Sequence, residues 1–174
     1  LSKYYAEKYP ESFDNTLSES VIYIGTHKLT DEVVEEGHSI GQLLLSPTRT
    51  YAPILKNLLE NHFDKICGLI HCSGGGQTKC LKYIPENVHI IKDNLFTPPA
   101  IFKIIQNNSG ANENEMYQVF NMGCRMEIYC DPENAELIID TSKSFGVDAR
   151  IIGRVESSTQ KALTIKGTFG KICF

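Results

Sequence analysis

Three consecutive glycines at the end of a short apolar run constrain this chain more than any other stretch. The segment reads Cys67-Gly68-Leu69-Ile70-His71-Cys72-Ser73-Gly74-Gly75-Gly76-Gln77-Thr78-Lys79. An apolar run of this length bounded by glycines predicts a buried β-strand covered on both faces. The glycines remove side chains, so backbone N–H groups there can approach a ligand closely. If a helix opens in the polar turn that follows, its unpaired N–H groups and dipole favour an anion, typically a phosphate. The standard phosphate loops do not fit. Lys79 follows Thr78 rather than glycine, so GxxxxGK[ST] fails, and Lys79 occupies the third glycine position of GxGxxG. A tight strand-to-helix turn is the plain alternative for the triplet.

The rest of the chain frames that segment. Its 174 residues are one domain's worth, and 41% hydrophobic with 22% charged residues suits a folded core. A net charge of -4 argues against an electrostatic nucleic-acid binder. No run approaches the roughly 18 apolar residues of a membrane span, and no signal-peptide pattern is present. The six cysteines are irregularly spaced and lack CxxC pairs, which points to reduced thiols and a cytoplasmic setting. The chain starts Leu1-Ser2-Lys3, already on a helical stripe with Tyr5 and Tyr9, so it reads as a fragment.

In order, a helix is expected to about Lys8, then a polar loop, either a short strand or an irregular apolar clasp at Val21-Ile22-Tyr23-Ile24 and a solvated acidic stretch through Asp31, Glu32, Glu35 and Glu36. An apolar turn stops before Pro47, and Pro53 opens a helix buried through Ile54, Leu55, Leu58 and Leu59. Leu81, Ile84 and Pro85 close a short helix after the glycines. Val88-His89-Ile90-Ile91 is β-branched and reads as a second buried strand. Thr97 caps a helix that Pro98 begins and Gly110 ends, and Asn112 to Glu115 form a capping box for the next. A strand over residues 126–130, a helix after Asp131-Pro132, a strand over 149–155 and a terminal hairpin complete the pattern. Alternating helices and strands predict an α/β (α+β) fold, a mixed β-sheet covered by helices.

Candidate chemistry is sparse. Arg49, flanked by Thr48 and Thr50, is either a phosphate clamp or a surface ion-pair partner. His71 is either a satisfied core histidine or a functional group at the strand's carboxyl end. His27, His38, His62 and His89 have no metal-ligand spacing. From residues alone the reading ends at an α/β domain with one plausible anion loop.

Four segments together resemble one family. Leu43-Leu44-Leu45-Ser46-Pro47-Thr48-Arg49-Thr50-Tyr51 is similar to its L-L-x-P-T-R-x-Y, and Ile70-His71-Cys72-Ser73-Gly74-Gly75-Gly76 to its A-H-x-T-G-G-G. Glu115-Met116-Tyr117-Gln118-Val119-Phe120-Asn121-Met122-Gly123 is similar to its E-M-Y-R-T-F-N-M-G, and Ile151-Ile152-Gly153-Arg154-Val155 to its x-I-G-x-V. The family is aminoimidazole ribonucleotide synthetase, or phosphoribosylformylglycinamidine cyclo-ligase, of purine biosynthesis.

That resemblance implies a single C-terminal domain over residues 1–174, divided into a peripheral helix and loop (1–37), a motif-bearing core (38–155) and a terminal hairpin (156–174). A preceding domain would carry dimer contacts and most of the ATP site. It further implies ATP and Mg²⁺, the substrate formylglycinamidine ribonucleotide, a homodimer and an inactive fragment. Gly74, Gly75 and Gly76 would form a backbone wall of the active-site cleft, Thr48 and Arg49 would line or brace it, His71 would bond near the reacting end, and Asn121 and Gly123 would form a second loop. Two segments depart from the family. Arg125 stands where a glycine is usual after Gly123, and Lys79-Cys80-Leu81-Lys82-Tyr83 replaces E-N-I-P-R. A sister enzyme of the same two-domain plan is one alternative: formylglycinamide ribonucleotide amidotransferase, selenophosphate synthetase or a hydrogenase-maturation protein. A non-catalytic nucleotide-binding module is the other.

Overall fold

The computed structural model describes residues 1–174. They form two compact units, one of Leu1–Thr48 with Pro98–Asn112 and one of Arg49–Thr97 with Glu113–Phe174.

In the first unit, α1 (Tyr4–Lys8) buries Tyr5, whose hydroxyl accepts from the Leu29 amide at 2.6 Å. Of the two readings of residues 21–24, the strand does not form. Only Ile22 is buried, Val21 and Ile24 are exposed, and Tyr23 has φ 46°, a left-handed turn that breaks an extended run. Two short antiparallel strands follow, β1 (Glu32–Val33) and β2 (His38–Ser39). Ser39 and Gln42 then make a reciprocal capping box at the start of α2 (Ile40–Leu45). The acidic stretch is not wholly solvated, because Glu36 accepts from the Ala100 amide at 2.9 Å, at the start of α4 (Ala100–Ser109). That carboxylate does the work expected of Thr97, since a helix N-terminus presents unpaired N–H groups that favour an anion. Gly110, at φ 72°, ends α4 as expected.

The second unit contains α3 (Ala52–Asn61), β3 (Gly68–His71), β4 (Val88–Lys92), α5 (Glu113–Val119), β5 (Met126–Tyr129), α6 (Ala135–Ser144), β6 (Gly153–Ser157), β7 (Ala162–Gly167) and β8 (Gly170–Cys173). Two sheets result. β3 pairs antiparallel with β5, and a four-stranded sheet runs β6-β4-β7-β8. β4 is parallel to β7, and the other pairings are antiparallel. The expected mixed α/β architecture is therefore present, in separate sheets.

Three local expectations need correction. β3 buries Ile70 on one face but leaves His71 exposed and Leu69 half-buried on the other, so it is not covered on both faces. After the glycines the chain forms a 3₁₀ helix, Gly76–Lys82, rather than an α-helix, so no α-helical N-terminus faces the triplet. The strand expected from residue 149 begins at Gly153. Ahead of it, the Asp93 and Asn94 amides donate to the Ile152 carbonyl, and the Asn94 side chain donates to Ile151. These bonds occupy the carbonyls before they can extend the ladder.

Apolar packing ties α3 and α6 to the β3–β5 ribbon. Ile54, Leu58 and Ile138 are buried together against Ile66, Ile128 and Val147. Leu58 is fully buried. We expect Leu58→Ala to lower unfolding free energy by about 2–5 kcal/mol through lost burial and the cavity left behind. Urea denaturation measures this, and an unchanged midpoint would place the core elsewhere.

Candidate functional site

The three glycines have different surroundings although all take positive φ, at 52°, 104° and 50° for Gly74, Gly75 and Gly76. A Cβ on Gly74 would meet nothing within 4 Å, so this backbone faces open space. A Cβ on Gly75 would sit 3.6 Å from the Lys79 side chain, ordinary contact. On Gly76 it would collide with the Phe120 carbonyl and lie 2.7 Å from the Tyr117 carbonyl at the end of α5. Gly74 is the position at which a ligand can reach backbone. Gly76 is needed for close packing of the loop on α5.

Behind the loop lies a buried polar network that the sequence reading missed. Lys92, at the end of β4, is 1% exposed, Glu127 in β5 is 4% exposed and Gln77 is 0% exposed. The Lys92 ammonium donates to Glu127 Oε1 at 2.5 Å, to the Gln77 backbone carbonyl at 2.8 Å and to Gln77 Oε1 at 3.0 Å. All three of its protons are used. Gln77 Nε2 donates to the carbonyls of Asn121 at 2.6 Å and Cys124 at 2.9 Å. Glu127 also accepts from Cys72 Sγ at 3.2 Å and from the Tyr129 hydroxyl at 2.6 Å. The one visible signal was a single charge in each of two otherwise apolar strands, with opposite signs.

The Asn121-Met122-Gly123 turn is closed by its own bonds. The Gly123 amide donates to Asn121 Oδ1 at 2.9 Å, and the Cys124 amide donates to the Asn121 carbonyl at 3.0 Å. Met122 takes φ 51° and Gly123 φ 97°. Gln77 grips the carbonyls on both sides of this turn, so the Gly74–Gly76 and Asn121–Gly123 segments come together through one side chain. The exposed rim holds the remaining candidates of this unit. His71 meets the edge of Tyr51 with ring centroids 6.3 Å apart, and the Lys79 ammonium donates to Ser73 Oγ at 3.2 Å. Arg49 donates to the Gly146 carbonyl at 3.3 Å. Thr48 is the last residue of the first unit's leading segment and is exposed.

Burial pushes the Tyr51 hydroxyl above its ordinary range, while the Arg125 guanidinium pulls it back. A cavity of about 1070 Å³ in this unit is lined by Tyr51, Gly123, Arg125, Lys92 and Glu127 among others, and the glycine triplet lies outside its wall. No group of three or more His, Cys, Asp and Glu side chains is placed to hold a metal ion.

The family model described as AIR synthase related protein, C-terminal domain, matches residues 15–166. The chain belongs to this family. Among its relatives, phosphoribosylformylglycinamidine cyclo-ligase of Methanopyrus kandleri is 33% identical over 141 residues, covering 81% of this chain and 39% of the relative. The protein of the same name from Methanococcus vannielii is 36% identical, covering 78% of this chain and 37% of its own. The chain thus spans under half the length of these AIR synthase relatives. In fold it is similar to Escherichia coli HypE, a hydrogenase maturation protein, with a TM-score of 0.53 at 19% identity, covering 78% of this chain and 44% of that one.

Burial pushes the Cys72 and Cys80 thiols up and that of Cys124 up to about 11, with the Glu127 carboxylate acting in the same direction. An unfolded thiol ionises near 9.0, so across the window from 9.0 to about 11 the folded state binds more protons and stability falls as pH rises. Lys92 adds to the fall. Burial is the largest single influence and opposes its charge, but Glu127 together with the neighbouring Cys80 and Cys72 outweighs burial and leaves its pKa above 10.5, so its contribution is present below that value and lost at higher pH. Urea midpoints should drop through this range, and Cys124→Ala should flatten the drop; a pH-independent midpoint would contradict the assignment. Separately, Gly76→Ala should cost about 3 kcal/mol from backbone collision, whereas Gly74→Ala should cost about 1–2 kcal/mol from left-handed strain alone. Equal losses would show that the two glycines are not in different surroundings.

Proposed function

We propose that this chain is the substrate-holding part of a phosphoribosylformylglycinamidine cyclo-ligase, acting in the cytoplasm in purine biosynthesis. A preceding domain of the same protein supplies most of the ATP site, holds Mg²⁺ and carries the contacts of a homodimer. The substrate is formylglycinamidine ribonucleotide. ATP transfers its γ-phosphoryl group to the formamide oxygen and leaves as ADP. The amidine nitrogen then attacks the same carbon, the carbon–oxygen bond breaks with release of phosphate, and loss of a proton gives the aromatic imidazole.

Phosphorylation makes the oxygen a good leaving group, so the protein's task is chiefly to orient the substrate and offset its charge. In this reading the open backbone at Gly74, with Gly75 beside it, forms the wall against which the phosphorylated substrate lies. Gly76 acts by packing. His71 donates or accepts a hydrogen bond near the reacting end, Arg49 and Thr48 brace the rim, and Asn121 with Gly123 forms the second wall. The observation that carries the reading is the junction of the two motif-bearing segments, Gly74–Gly76 and Asn121–Gly123, on one buried side chain, Gln77. The names and the 33–36% identity of the relatives support it.

The test is turnover by the full-length protein, which should release ADP and phosphate in equal amounts with aminoimidazole ribonucleotide. The 174-residue chain alone should be inactive. Gly74→Val, whose Cβ would meet no protein atom within 4 Å although the left-handed backbone strains it, should raise the KM for the substrate about tenfold or more by blocking the backbone approach. No ring closure by the intact protein would reject the function, and unchanged kinetics in Gly74→Val would remove the triplet from the site.

A further inference from the structure

We propose that Gln77 and Lys92 are positioning residues that hold the glycine loop and the Asn121–Gly123 turn as one rigid wall, and so set the affinity for the phosphorylated substrate. The proposal rests on the cyclo-ligase reading for the identity of that substrate, but its geometric part stands without it.

The bonds run in a definite order. Gln77 directly follows Gly76, so whatever fixes Gln77 fixes the end of the triplet. Lys92 fixes it twice, through its backbone carbonyl at 2.8 Å and its side-chain oxygen at 3.0 Å. Two acceptors on one residue, bonded to one ammonium, leave the backbone and the amide no independent rotation. The amide nitrogen is then directed at the Asn121 and Cys124 carbonyls, at 2.6 and 2.9 Å. These two carbonyls flank Met122 and Gly123, both in the left-handed region. For Met122 that conformation is strained and persists only where its surroundings impose it. Glu127 completes the bracket by holding Lys92 from β5, the strand that pairs with β3 leading into the loop. Nothing in this network reaches the open space at Gly74. Its residues act through the loops.

An ordinary core pair would also be buried and bonded, so the test must separate the two roles. Gln77→Glu in the full-length protein keeps an acceptor for Lys92 but sets carboxylate oxygens against two carbonyls. We expect amide hydrogen exchange to rise together in the peptides holding Gly74–Gly76 and Asn121–Gly123, while β4 and β7 stay protected. We also expect substrate KM to rise about tenfold with kcat changed less, the scale of one lost buried hydrogen bond. If Gln77→Glu does not fold, Gln77→Met, which buries no new charge, carries the same expectations. Exchange that rises in one loop alone or in neither, or an unchanged KM with both loops loosened, would overturn the proposal. A wild-type protein without turnover would reject the cyclo-ligase reading instead, and the exchange result would still decide whether Gln77 couples the loops.

Discussion

The ion pair between Lys92 and Glu127 organises the second unit. Two charges almost wholly removed from water impose a penalty that their attraction offsets only if every remaining donor and acceptor is satisfied. Here that condition is met from four directions: the end of β4 supplies the cation, β5 the anion and the tyrosine, the end of β3 the thiol, and the glycine segment the glutamine. Each acceptor must sit within hydrogen-bond reach of a fixed point, so the network ties together strands that belong to two different sheets. Apolar contacts alone are less directional and would tolerate sliding of β4 against the β3–β5 ribbon.

The glycine triplet acquires its meaning from that frame. Read as sequence, its three residues were equivalent, and a helix opening behind them would supply a dipole. In the folded unit the turn is 3₁₀, and only Gly74 presents open backbone. Gly76 lies against carbonyls at the end of α5 because Gln77 is held down beneath it. Any anion chemistry at this loop therefore comes from individual backbone N–H groups and from cations such as the half-buried Lys79, not from the end of an α-helix.

Legibility in the sequence followed the range of the interactions. Elements set by local pattern were readable: α3 behind Pro53, α4 ending at Gly110, β4 from its β-branched residues and the terminal hairpin β7–β8. Features set by distant partners were not. The capping of α4 by Glu36 and the delayed start of β6 each depend on contacts beyond the local window. The family resemblance identified both loops because it compares segments with known proteins. It passed over Gln77 and Lys92, which lie outside the matched segments; Glu127 likewise carries its meaning only once β4 and β5 are brought side by side.

The use of charge at this point has a physical rationale. A buried ion pair is weak grounds for stability, and apolar residues of similar volume often serve as well or better. What an apolar pair lacks is polarity. The Gln77 amide can turn over and exchange its oxygen and nitrogen with little change in shape. Turned over, it would set its oxygen against the Asn121 and Cys124 carbonyls. The Lys92 ammonium forbids this, because it is a donor without acceptor capacity and must face the oxygen. Glu127 keeps that ammonium charged and aimed. The pair thus settles which way one amide points, and that amide joins the two loops.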